Sequence, residues 1–350
     1  MKIQSVFGDY SVEVLESIEE LESRLAQHQY RGALIDAGVA RTCLRESVLL
    51  STMPYLEIEA SEEAKKFRNL EGVYDWMVER NFDRKAELLA VGGGTIQDIA
   101  TFVCATFHRG LSWTFVPSTL LSQADSSIGG KCGINLESHK NQVGLVYPPR
   151  HIYAPANFLT SLSRTDLLAG MGEILKIALT GREQFWDEYC ELTNSTRVED
   201  LNFARLTELA LLAKRYVVEE DELEVDFRRV LNYGHTLGHA LETASHYSIP
   251  HGIAVILGIK AISYLGVRWN LTPESLAMEV IAACDSLLNQ YEGSLDFDLE
   301  TTLSALTHDK KTIGGSALFI ILCAVGHHEF VPRTIDDELR RDIRAVLNEL

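Results

Sequence analysis

The sequence lacks the features that assign a chain to several common protein classes. Its six cysteines include no CxxC pair, which favours reduced thiols over a disulfide framework or a thiolate zinc site. It has no unbroken apolar run of about 18 residues and no apolar stretch at its start, so no membrane span or export signal is expected. Lys and Arg number 32 against 50 Asp and Glu, a net charge of −18 that repels nucleic acid and anionic membranes. We expect a cytoplasmic protein that binds neither.

The composition is that of a folded protein with a large core. Of the 350 residues, 46% are hydrophobic and 23% are charged. The first part alternates short apolar runs, such as GALIDAG and AELLAVGGG, with the amphipathic stretch SEEAKKFRNLEGVYDWMVERN, in the rhythm of β-α-β units. After VYPPRHIYAP the segments are long and helical, as in RTDLLAGMGEILKIALTG, LTELALLAKRYVVEEDE and GIAVILGIKAISYLGVRW. We predict an α/β domain over residues 1–155 and a mostly α-helical domain over 156–350, divided at a proline cluster.

Two glycine-rich stretches favour the binding of phosphate groups. In LLAVGGGTIQDIATF an apolar strand meets three glycines and then a helix that carries Asp98, a junction where backbone amides can approach a pyrophosphate. The spacing is not GxGxxG, so an ordinary tight turn is the alternative. In QADSSIGGKCGINLESHKNQVG, Asp125, Lys131, Lys140 and Asn141 lie among glycines, where lysines can reach phosphate oxygens. The alternative there is a solvated loop.

A cluster of histidines predicts a metal site. NYGHTLGHALETASHYSIPHG contains four histidines, and His235 and His239 are four residues apart, on one helical face. The glutamate of the HExxH motif is missing, which excludes that class of metalloprotease. In AGMGEILKIAL, Glu173 lies among apolar residues three positions before Lys176, and a buried carboxylate needs a partner. For any single histidine a structural role is favoured, whereas the cluster with Glu173 favours a metal.

Together, several motifs resemble those of the 3-dehydroquinate synthase family and the related sugar phosphate cyclases. They are GGGTIQD, PSTLLSQADSSIGGKCGIN, HKN, GEILK, RRVLNYGHTLGHALE, HGIAV and HDKK, from about residue 55 to about residue 315. The resemblance implies an N-terminal α/β domain with a Rossmann-like parallel sheet that binds NAD. It also implies a mostly α-helical C-terminal domain that holds a divalent metal, Zn or Co, and a homodimer.

The resemblance also implies roles for individual residues. The metal ligands are Glu173, His235 and His251; His239 binds substrate phosphate or transfers a proton, and no role is assigned to His246. The implied NAD contacts are Glu62, Lys65, Gly93, Gly94, Asp98, Thr119 and, more weakly, Asp36. The implied substrate pocket contains Asp125, Lys131, Lys140, Asn141, Lys176, Lys214, Arg228, Asn232 and Lys310 or Lys311. Arg109 is expected to reach the phosphate site of a partner subunit.

Four positions depart from the family pattern. Gln97 and Thr101 stand where glycine is usual, Cys132 replaces threonine, and His139 replaces glycine before Lys140. The first two could alter how a pyrophosphate is bound. A histidine before KN also occurs in cyclases of secondary metabolism.

The implied reaction converts 3-deoxy-D-arabino-heptulosonate 7-phosphate to 3-dehydroquinate and phosphate, with transient oxidation by NAD, phosphate elimination, re-reduction and aldol closure. Lys214 and Arg228 are the cations expected to bind the substrate carboxylate. The alternative for Arg228 is a pair with a nearby acid on a solvated face. The alternative functions are a sister cyclase acting on sedoheptulose 7-phosphate or an amino analogue, an NAD-dependent polyol dehydrogenase, and a scaffold that kept only the fold.

Overall fold

A computed structural model describes residues 1–137, 139–194, 196–308 and 316–350. These residues divide into two compact units. The first consists of Met1–Leu162 with Phe203–Leu211, and the second of Ser163–Asn202 with Leu212–Leu350. The first unit therefore continues past residue 155, where the sequence places a domain boundary, and takes in a later segment of the chain.

The first unit is built on a seven-stranded sheet. Its strands are β1 (Lys2–Ile3), β2 (Tyr10–Leu15), β3 (Tyr30–Asp36), β4 (Tyr55–Ile58), β5 (Glu87–Gly92), β6 (Ser112–Pro117) and β9 (His151–Pro155). Their order is β1-β2-β9-β6-β5-β3-β4, and every pairing is parallel except that of the edge strand β1 with β2. A separate antiparallel pair is formed by β7 (Ile134–Leu136) and β8 (His139–Val143). The predicted parallel sheet is confirmed.

Helices cover both faces of this sheet, which explains why its central strands read as continuous apolar runs. They are α1 (Ile18–Leu25), α2 (Ala37–Arg41), α3 (Leu49–Thr52), α4 (Glu71–Glu79) and α5 (Gly94–Thr106). Along β5 the side chains alternate between two cores: Leu88 packs with residues of α4 and α5, whereas Leu89 packs with residues of α1 and α2. The apolar side chains of the strand are therefore buried in a core on one face of the sheet or the other.

The amphipathic run over residues 61–81 forms less helix than its pattern predicts. Helix α4 begins only at Glu71, after a 3-10 turn at Phe67–Leu70. Upstream of that turn the backbone pairs with β7 instead, because Asn135 donates its N–H to the carbonyl of Lys65 at 2.9 Å and Lys66 forms an isolated bridge with Asn135. The pairing fixes the backbone that carries Lys65.

The loops that follow β5 and β6 start side by side. Gly92 and Pro117 are register partners at the carboxyl ends of these two parallel strands. The first loop leads through Gly93 into α5, and the second leads into a π-helical turn at Ser122–Ser126. Ligands of open α/β sheets bind at this carboxyl edge.

The second unit is mostly α-helical, as the sequence predicts. Its helices are α6 (Arg164–Thr180), α7 (Glu183–Thr193), the C-terminal part of α8 (Phe203–Glu220), α9 (His235–Ala244), α10 (His251–Arg268), α11 (Glu274–Leu288), α12 (Leu299–His308) and α13 (Asp337–Leu347). A hairpin of β10 (Ser316–Ala324) and β11 (His327–Thr334), which the sequence pattern did not reveal, completes it.

Helix α10 is the most apolar helix of this unit. Among the described residues it alone has the length and mean hydropathy, 1.3 over 18 residues, to cross a membrane, but 78% of that window is buried. Such burial is typical of a core helix, so the apolar side chains of α10 pack against other parts of the protein.

Helices α6 and α10 cross with their backbones in contact. A Cβ atom built on Gly252 would lie 1.9 Å from the carbonyl oxygen of Ala169, and one built on Gly172 would lie 2.3 Å from that of Gly252. Only glycine permits this approach, and it places Glu173 of α6 beside His251 of α10.

We expect Gly252→Ala to lower the free energy of unfolding by about 1–3 kcal/mol, because the added methyl group must separate α6 from α10. Urea unfolding followed by circular dichroism measures this loss. The matched control is Gly72→Ala on α4, where no heavy atom lies within 4 Å of the added Cβ. That change should stabilise the protein by about 0.4–1 kcal/mol, and an equal loss in both variants would contradict the packing argument.

Candidate active site

In the first unit, the glycine turn after β5 leaves the start of α5 open. Gly93 is the N-cap residue of α5, and no described side chain caps the helix there. A Cβ on Gly94 would meet no heavy atom within 4 Å, while one on Gly93 would lie 3.1 Å from Cγ2 of Thr119. Uncapped amides beside open space suit a phosphate group, because the helix N-terminus favours negative charge.

Next to this turn lies a polar network centred on the buried side chain of Lys65. Its Nζ is 2.7 Å from Oδ2 of Asp98 and donates to Oδ1 of Asn141 at 3.0 Å. The other oxygen of Asp98, Oδ1, accepts from the backbone N–H of Gly133 at 3.1 Å. Burial raises the pKa of Asp98 above its ordinary value, and the Lys65 ammonium opposes that shift. The network joins two predicted NAD contacts to a predicted substrate residue.

Asn135 extends the network, and the sequence interpretation missed it. Its Nδ2 donates to Oε2 of Glu62 at 2.7 Å and to the backbone carbonyl of Glu62 at 3.0 Å, while its Oδ1 accepts from the N–H of Asn141 at 2.9 Å. At 3% exposure this amide is buried. A single asparagine in a glycine-rich stretch offers no sequence signal for such a role.

The remaining candidates in the first unit are spread along its loops. Oδ1 of Asp36, at the end of β3, accepts from the N–H groups of Gly38 and Val39 and so caps α2. Asp125 lies in the π-helical turn, and Lys131 and Lys140 are exposed. Arg109 ends a 3-10 turn with a positive φ of 70°.

In the second unit, helices α6, α9 and α10 bring the metal candidates together. One nitrogen each of His235, His239 and His251 can be chosen such that all lie within 4.8 Å of one another. Oε1 of Glu173 lies 3.1 Å from Nε2 of His251 and 3.6 Å from Nε2 of His235. The other oxygen of Glu173 accepts a hydrogen bond from Lys176. Imidazole nitrogens and a carboxylate oxygen at this spacing fit a Zn or Co ion.

Glu242 is a further residue of this cluster that the sequence interpretation missed. Its Oε2 lies 3.1 Å from Nδ1 of His251, on the ring edge away from Glu173. Burial disfavours a charged His251, but the hydrogen bonds with Glu173 and Glu242 outweigh it and raise the pKa of His251 to about 10. A signal existed, because Glu242 follows His239 by three residues and therefore shares its helical face.

The predicted substrate cations of the second unit are deeply buried. Lys176, Lys214 and Arg228 are each at most 5% exposed. Arg228 donates to the backbone carbonyl of Glu222 and, at 3% exposure, does not lie on a solvated face. Asn232 donates its side-chain N–H to Oε1 of Glu224 at 2.9 Å. Lys310 and Lys311 lie outside the described residues.

Comparison with known proteins identifies the family. The family model for the N-terminal part of 3-dehydroquinate synthase matches residues 55–169, and the model for its C-terminal part matches residues 170–312. The 3-dehydroquinate synthase of Campylobacter concisus is 35% identical over 316 residues, which are 88% of this chain and 89% of that protein. The chain belongs to the 3-dehydroquinate synthase family.

Solved structures confirm the predicted fold class. A 2-deoxy-scyllo-inosose synthase complexed with carbaglucose-6-phosphate, NAD+ and Co2+ is 24% identical with a TM-score of 0.86 and covers 99% of both chains. A 2-epi-5-epi-valiolone synthase from Streptomyces hygroscopicus subsp. jinggangensis 5008, with NAD+ and Zn2+ bound, is 23% identical with a TM-score of 0.82. It covers 100% of this chain and 99% of its own.

Three of the departures from the pattern of the 3-dehydroquinate synthase family are buried or partly buried. Gln97 and Thr101 lie inside the first unit on α5, at 3% and 0% exposure. Burial raises the pKa of the Cys132 thiol to about 11, so it stays protonated at neutral pH. His139 begins β8 with an exposed side chain.

We expect Lys65→Met to lower the free energy of unfolding by about 3–5 kcal/mol near neutral pH, because the Asp98 carboxylate then stays buried without its cation. Urea unfolding measures the loss, and the double variant with Asp98→Asn should recover most of it. An acid whose pKa is higher in the folded than in the unfolded state binds a proton on folding. The loss of unfolding free energy in Lys65→Met should therefore shrink as the pH falls. A loss that is constant with pH contradicts this account, and so does an equal loss in the double variant.

Proposed function

We propose that this chain is a 3-dehydroquinate synthase, which converts 3-deoxy-D-arabino-heptulosonate 7-phosphate to 3-dehydroquinate and phosphate. The proposal is supported by membership of the family and by the placement of the candidate residues in each unit. The enzyme is then a lyase that uses NAD catalytically and a divalent metal.

The observation that carries the proposal is the set of buried cations in an acidic protein. Lys176, Lys214 and Arg228 are at most 5% exposed, although the net charge of the chain is −18. Buried cations are costly and are typical of sites that bind anions. A sugar acid phosphate offers two anionic groups, and arginine can bind a carboxylate with two parallel hydrogen bonds. We assign Lys214 and Arg228 to the carboxylate.

The first unit is assigned to NAD. Its uncapped helix start, open at Gly94 and bordered by Thr119, fits a pyrophosphate, with Glu62, Lys65 and Asp98 held in place nearby. NAD bound there supplies a hydride acceptor that can return the hydride within the same turnover. We assign Asp125, Lys131, Lys140 and Asn141, from the neighbouring loops, to the substrate, and Asp36 more weakly to the cofactor.

The second unit is assigned to the metal and to charge stabilisation. Glu173, His235 and His251 would hold a Zn or Co ion, which supplies Lewis-acid stabilisation of negative charge on a substrate oxygen. Because the Nδ1 edge of His251 faces Glu242, its Nε2 is directed toward Glu173. Cationic side chains stabilise the phosphate as it leaves, Asn232 orients the substrate, and His239 binds phosphate or transfers a proton.

We also propose a cytoplasmic homodimer. The location is supported by the six cysteines, all of which are free thiols, as expected of a reducing compartment. Arg109, in its strained turn, is the residue assigned to a partner's phosphate site. Lys310 or Lys311 remains a predicted phosphate contact.

The substrate assignment predicts phosphate release from heptulosonate phosphate and little from sedoheptulose 7-phosphate, which lacks the carboxylate. Arg228→Ala should lower kcat/KM by the equivalent of about 2–5 kcal/mol, as expected when a buried charged partner is removed. Arg229→Ala is the matched control, since this neighbour in the same 3-10 turn packs over the Phe330 ring, 5.6 Å from its centroid. Phosphate is measured colorimetrically and NADH by absorbance.

Two other outcomes for the wild type would identify another function. Preference for sedoheptulose 7-phosphate assigns the chain to a sister cyclase, and steady accumulation of NADH assigns it to a polyol dehydrogenase. Arg228→Ala with normal turnover of heptulosonate phosphate refutes the carboxylate assignment.

The metal assignment predicts that alanine at Glu173, His235 or His251 weakens Co2+ binding by more than about 100-fold, because each supplies a ligand atom. Absorption spectra during Co2+ titration of the metal-free protein measure the affinity. His246→Ala, an exposed histidine after α9, should bind Co2+ normally. His239→Ala should bind Co2+ nearly as the wild type does while losing activity. If instead His239→Ala fails to bind Co2+ and Glu173→Ala still binds it, the third metal ligand is His239 and not the carboxylate of Glu173.

A further inference from the structure

Gln97 makes two side-chain hydrogen bonds to one residue of the neighbouring loop. Its Nε2 donates to the backbone carbonyl of Ser126 at 2.6 Å, and its Oε1 accepts from the hydroxyl of Ser126 at 2.6 Å. Gln97 lies in the first turns of α5 and is 3% exposed, so these bonds are largely shielded from water. Two bonds to one residue fix orientation as well as distance.

Ser126 ends the π-helical turn Ser122–Ser126, the turn on which Asp125 lies. The start of the turn is fixed separately: Ser122 donates its hydroxyl to the carbonyl of Thr119 at 2.9 Å and its N–H to the Thr119 hydroxyl at 3.1 Å. Gln123, within the turn, donates its side-chain N–H groups to the carbonyls of Pro117 and Pro155 at 3.1 and 2.9 Å. Asp125 therefore lies between two anchored ends.

We propose that Gln97 is a positioning residue that holds the Asp125 carboxylate in its working position by clamping Ser126 to α5. The inference rests on the proposed function in one respect, the assignment of Asp125 to the substrate. Gln97 is also one turn beyond Gly93, whose carbonyl accepts from the Gln97 N–H at 3.1 Å. The clamp thus ties the turn that bears Asp125 to the same helical turn that begins at the glycines.

The clamp is needed because π-helical geometry is rare and intrinsically less favourable than an α-helix, and persists where surrounding contacts enforce it. With the amide removed, the carbonyl and hydroxyl of Ser126 lose their partners, and the turn can relax toward other geometries. A displacement of Asp125 by about 1 Å then costs on the order of 10- to 100-fold in rate.

The chain offers a matched control on the same helix. Thr101 is one turn further along α5 and is fully buried, and its hydroxyl has no hydrogen-bond partner among the described residues. Like Gln97, it stands where glycine is usual in the family. Thr101→Val removes a polar atom without breaking a hydrogen bond. It therefore measures the effect of changing a buried side chain of α5 when no hydrogen bond is lost.

The test compares Gln97→Met, which keeps length and burial but loses both hydrogen bonds, with Thr101→Val and the wild type. We expect Gln97→Met to lower kcat/KM for the sugar phosphate roughly 10- to 100-fold at saturating NAD. The dissociation constant for NAD, measured by calorimetry, should stay within about a factor of two. Thr101→Val should match the wild type. Unchanged kcat/KM in Gln97→Met, or a loss that follows weaker NAD binding, would overturn the proposal.

A second variant separates positioning from general stability. Gln97→Glu retains the acceptor for Ser126 and regains a donor when the introduced carboxyl is protonated, which burial favours. We expect its kcat/KM relative to the wild type to rise as the pH falls, and a ratio independent of pH contradicts the clamp. Gln97→Met and Ser126→Ala should also be non-additive, because they break a shared contact.

Hydrogen exchange of residues 122–127 without substrate tests the clamp independently of the reaction. Faster exchange there in Gln97→Met, with the rest of the first unit unchanged, supports it, whereas identical exchange in this segment refutes it. Failure of the wild type to release phosphate from heptulosonate phosphate would instead refute the proposed function and leave this result standing.

Discussion

The backbone contact between α6 and α10 is the constraint on which the second unit depends. Gly172 and Gly252 let the two helices touch at a distance that any other residue forbids. Because of this contact, one oxygen of Glu173 lies within reach of imidazoles from two other helices while the other meets Lys176. The carboxylate is therefore buried without being isolated, which is the condition for keeping a charge in a core.

The first unit reaches a similar result by other means. Its charged residues lie on loops at the carboxyl edge of a parallel sheet. The loops that follow β5 and β6 start there side by side. Lys65 is brought there by strand-like pairing of its own backbone with Asn135, and only then can its ammonium meet Asp98. In both units, the placement of the buried charges depends on a close contact between backbone segments that are distant in the sequence.

The sequence predicted the parallel sheet, the long helices of the second unit and the cluster around Glu173, because these depend on periodicity and on charges set among apolar residues. It did not predict that the helix in residues 61–81 begins late, since that depends on pairing with a strand more than fifty residues away. Asn135 was missed, and Gln97 was noted only as a departure from the family pattern, because their partners are fixed by the fold and a lone amide carries no periodic signal. Glu242 shares a helical face with His239, but its partner His251 lies on another helix.

Helix α8 has a consequence for how the chain is made. Its first residues, Phe203–Leu211, belong to the first unit, and Leu211 is packed in the same core as Trp113 and Phe115. During synthesis a chain that has emerged only to Leu162 still lacks this part of its core. The N-terminal unit therefore finishes folding only after residues 163–202 of the other unit have left the ribosome. This differs from the usual order, in which one domain folds before the next one is made.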